Sequence, residues 1–242
     1  MPNARKPARV TNRSAIISGS SSGIGRAIAE RLLADGWRVH GLDIAAATLS
    51  DAAFAAHMVD LTDATATDNA VSRVLAAGTP AALVHAAGVA RLAPLGAVHE
   101  ADGELMWQLH VAAATRLANR VIPAMQSAGA GRVVLIGSRV SAGMAGRSQY
   151  AACKAALVAL AKSWAAEVVT AGVTVNVVSP AATATPMLED PARAATSPRL
   201  PPIGRYIEAR EVAALVAYLL GPDAAAITGQ DIAICGGATL QR

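Results

Sequence analysis

A chain of 242 residues, 53% hydrophobic but only 3% aromatic, can build one α/β domain around an aliphatic core of Ala, Val, Leu and Ile. Its net charge of +4 would suit a nucleic-acid or membrane partner, but the excess is matched by Arg5, Lys6, Arg9 and Arg13, ahead of a neutral body. We therefore expect a disordered basic tail over 1–12, a single domain over 13–242, and neither a nucleic-acid nor a membrane partner. Cys153 and Cys235 lie far apart and belong to no metal-ligand cluster, which predicts reduced thiols in a cytoplasmic protein and no metal. The basic start runs into "TNRSAIISGS" rather than the apolar core of a signal peptide, and no run reaches the length of a membrane span.

In chain order, short apolar runs predict strands at 15–18, 37–42, 56–59, 82–86, 132–137, 173–178 and 231–235. Helical patterns lie between them, among them "GRAIAERLLADG", "QYAACKAALVALAKSWAAEVV" and "EAREVAALVAYLLG". Such alternation means βαβ units and a parallel sheet with helices on both faces. The proline-rich excursion from Ala181 to Arg210 breaks the rhythm and is expected to carry a substrate lid over about 182–210.

The first strand runs directly into "SGSSSGIGRAIAE", where Gly19, Gly23 and Gly25 open a helix. Glycines there let backbone approach a pyrophosphate, and the free N–H groups and helix dipole favour its charge. Asp43 lies eighteen residues beyond Gly25, at the end of the second strand. A carboxylate there accepts from ribose hydroxyls and repels a 2′-phosphate, and neither Ser22 nor Ile44 is a cation that could offset this. The expected cofactor is NAD. Asp60 in "VDLTD" is placed at the end of the third strand, either beside an adenine amino group or as a turn residue, with Asp63 a helix N-cap.

Tyr150 and Lys154 in "SQYAACK" lie one helical turn apart. Bringing a phenol from a pKa of about 10 to about 7 takes roughly 4 kcal/mol. One ammonium about 4 Å away supplies roughly that at an effective dielectric of about 20. Ser138 ends the preceding strand, at the sheet edge where α/β proteins bind ligands. A serine to orient a carbonyl, a tyrosine as acid/base and a lysine as its tuner, beside a dinucleotide site, make a centre for carbonyl reduction or alcohol oxidation.

With "SGSSSGIG", Asp43, Asp60, "HAAG" (85–88), Ser138, Tyr150, Lys154, "NVVSPAATATPM" (176–187) and "TGQDIAICGG" (228–237), the chain resembles the one-domain short-chain dehydrogenase/reductases from about Arg13 to Leu240. The resemblance implies a Rossmann-type doubly wound sheet of seven parallel strands with helices on both faces. It also implies a homotetramer or homodimer built on the long helices ending near Ser127 and Val169. The implied activity is NAD-dependent interconversion of a small-molecule secondary alcohol and ketone. Tyr150 would move the proton, Lys154 would also hold the nicotinamide ribose, Ser138 would bind the substrate oxygen, and Thr185 would touch the carboxamide. The implied cofactor set is Gly19, Ser21, Ser22, Gly23, Ile24, Gly25, Asp43, Asp60, Leu61, Ala87, Gly88, Tyr150, Lys154, Pro180, Ala181, Thr183 and Thr185. Arg139, Met144, Arg147 and Met187 are the substrate-side candidates, while Ile17 and Val178 would pack strand ends.

Three positions depart from the family pattern. His85-Ala86-Ala87-Gly88 replaces Asn-Asn-Ala-Gly, which makes His85 a local structural substitute. His110 stands where the family has an asparagine whose backbone carbonyl holds a relay water; the relay geometry is expected to survive, and an imidazole could add exchange near pH 6.5. His110 therefore joins the catalytic candidates. Pro180-Ala181 replaces Pro-Gly. The short crossover from Ala45 to His57 resembles that of dehydrogenases of cyclic dihydrodiols, which keeps a cyclic dihydrodiol or hydroxy acid open as substrate. A catalytically silent NAD-sensing protein is the alternative from another class.

Overall fold

The computed structural model describes residues 13–189 and 199–240. The expected tail over 1–12 and the middle of the expected lid, 190–198, lie outside the described residues. The strands are β1 (Ser14–Ser18), β2 (Arg38–Asp43), β3 (Phe54–Met58), β4 (Ala82–His85), β5 (Gly131–Ile136), β6 (Val173–Pro180), β7 (Thr183–Ala184), β8 (Ile207–Glu208) and β9 (Asp231–Ile234). The helices are α1 (Gly23–Ala34), α2 (Ala64–Ala76), α3 (Glu100–Trp107), α4 (Ala113–Ala128), α5 (Ser148–Val168), α6 (Pro186–Glu189) and α7 (Ala209–Leu220).

Seven strands form one parallel sheet in the order β3-β2-β1-β4-β5-β6-β9. The doubly wound sheet expected from the alternating pattern is therefore present, with each predicted strand within about two residues of its place. On β1 the side chains alternate between faces: Ile16 joins Leu83, Leu117, Val133, Leu157 and Val175 in one core, while Ala15 and Ile17 join Ile28, Leu32, Val84, Val212 and Val216 in the other. Helices α2, α4 and α5 close the first face, and α1 and α7 the second. Val178 is fully buried, the packing role expected of it with Ile17. Winding reverses between β1 and β4, and a crevice opens there at the carboxyl ends of the strands.

Local chemistry sets the ends of several elements. Asp63 caps α2 by accepting from the Ala66 N–H at 2.9 Å. Glu208 and Glu211 form a reciprocal capping box on α7.

Three features differ from expectation. β3 starts two residues early and ends at Met58, so Asp60 lies beyond the strand in a turn. The β2–β3 crossover contains no helix. Third, the long pattern from Glu100 to Ala128 is interrupted by a π-helical turn over Gln108–Ala112, between α3 and α4. Such a turn displaces the i→i−4 ladder and frees carbonyls, commonly at functional sites. The proline-rich excursion carries the small parallel pair β7–β8, in which Thr183 faces Ile207.

Candidate active site

One cleft of ≈ 1140 Å³ runs along the carboxyl edge of the sheet, larger than the usual pocket for a single small molecule. At one end lies the glycine turn. Gly19 has φ +71°, and a Cβ there would stand 2.8 Å from the Ala87 backbone. A Cβ on Gly25 would stand 2.0 Å from the Gly19 carbonyl oxygen. The first turn of α1 receives no side-chain cap from Ser22, so its N–H groups and dipole face the cleft with capacity for an anion. This cradle fits the pyrophosphate of a nicotinamide dinucleotide. Replacing Gly25 by Ala is expected to weaken dinucleotide binding at least about ten-fold, measured by titration, because the backbone it would strike cannot yield.

Asp43 ends β2 and lines the same cleft. Its Oδ2 accepts from the Ser21 N–H at 2.8 Å and its Oδ1 from the Ala45 N–H at 2.9 Å. Each oxygen keeps a lone pair for a ribose hydroxyl. Ser21 stands behind the cleft lining. Its N–H is engaged by Asp43, and its buried hydroxyl turns to the Ala45 carbonyl at 3.4 Å. It shapes the glycine turn from behind. Asp60 lines the cleft from its turn, with Oδ1 accepting from both the N–H and the hydroxyl of Thr62. Gly23, Ile24, Leu61, Ala87, Gly88, Pro180, Ala181, Thr183 and Thr185 also line it.

The other end holds Ser138, Tyr150 and Lys154. Ser138 follows β5 and caps a short 3-10 turn over Arg139–Ala142, its Oγ 3.4 Å from the Val140 N–H. Tyr150 and Lys154 project from the first turns of α5, and the Lys154 ammonium lies 5.6 Å from the Tyr150 ring centroid. Lys154 is 5% exposed and donates to the Ile136 carbonyl at 2.7 Å. Burial pushes its pKa down to about 7, which weakens the ammonium that the spacing argument relied on.

His110 sits in the π turn, its ring edge-on to Tyr150 with centroids 5.6 Å apart. A Cβ on Gly88 would stand 2.1 Å from the His110 ring, so glycine there makes room for the imidazole. Burial, then the Lys154 charge, holds the His110 pKa well below 6.5. Both influences disfavour a charged imidazole at this position. His85 bonds to the Ser18 hydroxyl at 2.9 Å, which fits the local structural part expected of it.

Arg139, Met144, Arg147 and Met187 all line the substrate end. The sequence reading missed the wall formed by Gly237, Ala238 and Leu240. Arg139 donates to the Ala238 carbonyl at 3.3 Å, and the paired positive φ of Gly236 and Gly237 turns that segment. The "CGG" triplet was the available signal. Among the described residues, no group of three or more His, Cys, Asp or Glu could hold a metal, and no helix is long and apolar enough to cross a membrane. Cys153 and Cys235 are free.

Comparison with known proteins agrees with this geometry. Residues 19–239 match the family model described as enoyl-(acyl carrier protein) reductase. The chain is 36% identical to the 3-oxoacyl-(acyl-carrier-protein) reductase FabG of Salmonella typhimurium, over 92% of this chain and 96% of that one. It is 31% identical to BbsD of Thauera aromatica, a subunit of a hydroxy(phenyl)methylsuccinyl-CoA dehydrogenase, over 96% and 98%. A single-substitution variant of actinorhodin polyketide ketoreductase, solved with NADPH, superposes with a TM-score of 0.85 at 26% identity, over 95% of this chain and 98% of that one. Aldohexose dehydrogenase of Thermoplasma acidophilum shares the fold, with a TM-score of 0.88 at 24% identity over 96% and 95%. Matches spanning the glycine turn, the sheet edge and α5 together place the chain in the short-chain dehydrogenase/reductase family, oxidoreductases that use a nicotinamide dinucleotide on alcohol and ketone substrates.

Proposed function

We propose that the protein interconverts a secondary alcohol and a ketone with NAD(H), with Tyr150 as the general acid/base. The observation that carries this is the placement of Ser138, Tyr150 and Lys154 in one cleft with the glycine turn and Asp43. The bound nicotinamide would supply or accept the hydride. Ser138 orients the substrate oxygen, and Tyr150 gives that oxygen a proton in reduction or takes one in oxidation. Lys154 favours the phenolate and holds the nicotinamide ribose. Thr185 lines the cleft beside Gly23, whose Cβ would stand 3.5 Å from its side chain, and is the partner for the carboxamide.

Preference for NAD(H) rests on Asp43. Its carboxylate is held in place by two backbone N–H groups, and its cleft-lining neighbours Ser22 and Ile44 bring no cation. Among the described residues, the cations that line the cleft are Lys154, Arg139 and Arg147, close in sequence to Tyr150, and Arg199 of the proline-rich excursion. The ketoreductase named above was solved with NADPH, so the NAD(H) reading rests on Asp43 and not on that neighbour. Titration with NADH and then NADPH tests it: NADH is expected to bind at least about ten-fold tighter. Equal or reversed affinities would remove Asp43 as the ribose reader.

The three arginines also favour a substrate that carries a carboxylate or a phosphate-bearing acyl carrier. Apolar Met144, Met187, Leu188 and Leu200 flank them. A panel of 3-oxoacyl thioesters, hydroxy acids and neutral cyclic diols separates these classes. Faster turnover of the neutral diols would remove the anionic class, and no turnover on any broad panel would favour the cofactor-sensing alternative.

A further inference from the structure

Two buried imidazoles stand behind Tyr150 and Lys154, and their tautomers follow from their partners. Ser18 Oγ accepts from the Ala86 and Ala87 N–H groups at 3.1 and 3.2 Å. With both lone pairs engaged, its hydrogen goes to His85 Nδ1, 2.9 Å away. The proton of neutral His85 is therefore on Nε2. On His110, Nε2 lies 2.8 Å from the Val89 carbonyl, which can only accept, so its proton is on Nε2 as well. Each ring is 1% exposed. Among the described residues, His85 Nε2 and His110 Nδ1 have no hydrogen-bond partner. The result is one unpaired buried donor and one unpaired buried acceptor, each costing about 1–3 kcal/mol if left alone.

The two rings are neighbours. The Leu109 and His110 carbonyls of the π turn act on His85, His85 acts on His110, and the Lys154 charge acts on both. The carbonyls partly oppose the lowering of the His85 pKa, yet none makes a hydrogen bond of good geometry with its Nε2. A donor and an acceptor facing one polar space describe the surroundings of a buried water.

We propose that His85 and His110 hold one buried water between them, closing a hydrogen-bond chain from Ser18 to Val89 behind the Tyr150–Lys154 pair. The water accepts from His85 Nε2–H and donates to His110 Nδ1. Its second hydrogen serves the Leu109 or His110 carbonyl, the two that act on His85. From Ser18 through His85, water and His110 to Val89, every donor points the same way, so each bond polarises the next. The chain ends on a carbonyl and begins on a hydroxyl whose oxygen is already saturated, so it carries no net proton to solvent. His85 and His110 are positioning residues: the chain fixes the His110 ring, which packs edge-on against Tyr150. That consequence rests on the proposed function; the water site does not.

Nitrogen-15 histidine spectra of the whole protein, recorded from about pH 5 to 8, should show both rings neutral with the proton on Nε2 throughout. A proton on either Nδ1, or either ring charging near pH 6.5, overturns the proposal. A high-resolution crystal structure should place a water within hydrogen-bond distance of both nitrogens, and its absence there also overturns it. His110→Phe should lose that water and lower kcat about ten-fold, with dinucleotide affinity within about two-fold and the wild-type value restored by no apolar substitution. Unchanged kcat overturns the positioning role. The spectra and the crystal structure need neither turnover nor a stable variant, so failure of the proposed function leaves their outcome distinct.

Discussion

Replacing Tyr150 by Phe is expected to lower turnover by about 10³-fold, within the range for loss of a general acid/base, while NADH affinity changes less than about two-fold. The substitution removes one hydroxyl and keeps the ring. The ring packs edge-on against His110 and lies 5.6 Å from the Lys154 ammonium, and phenylalanine preserves both contacts. The loss corresponds to about 4 kcal/mol in the barrier, and it should appear in kcat and kcat/KM together because the proton moves only during reaction. Steady-state kinetics on any substrate turned over by the wild type decide the matter. Retention of even a tenth of the activity would take the acid/base role from Tyr150, and loss of NADH binding would make the residue structural.

What the chain reveals before folding, and what it withholds, differ in physical kind. The glycine turn and the Tyr150–Lys154 spacing are local: backbone conformation at Gly19 and one helical turn of α5 bring these groups into place. Asp43 was legible because a carboxylate ending a strand must stand at the sheet edge. Strands such as β1 and β5 were legible because runs buried on both faces are continuously apolar, as in Ala15–Ile17 and Val133–Ile136. The direction of Ser21 was not legible because it depends on Asp43, twenty-two residues away, which takes its N–H. The π turn at Gln108–Ala112 leaves no mark on hydrophobic period. The fit of His110 against Gly88, the contact of Arg139 with Ala238 and the burial of Lys154 arise only when distant segments meet. Charge states follow burial, which lowers the pKa of both His110 and Lys154 and which spacing alone does not reveal.

That burial makes Lys154 a source of instability before it is a source of catalysis. Its pKa falls from 10.5 in the unfolded chain to about 7 in the folded one. Below pH 7 both states carry the proton, and the folded state bears the whole cost of a buried ammonium. Between about 7 and 10.5 the folded state sheds it first, so stability rises with pH; above 10.5 both are neutral and the effect is complete. The span corresponds to up to about 5 kcal/mol. Lys154→Met should therefore stabilise the cofactor-free protein at pH 6, even though the Ile136 carbonyl loses its donor at a cost of about 1–3 kcal/mol. A net gain of about 2–4 kcal/mol would raise Tm by roughly 5–15 °C for a chain of this size, shrinking to nothing or reversing above about pH 10. The same variant should lose nearly all turnover. Thermal melts of both proteins across pH 6 to about 10 would show the two curves converge as the wild type loses its proton. A variant less stable at pH 6 would mean that the folded state already compensates the ammonium without cofactor, and the tension between stability and catalysis at Lys154 would not exist.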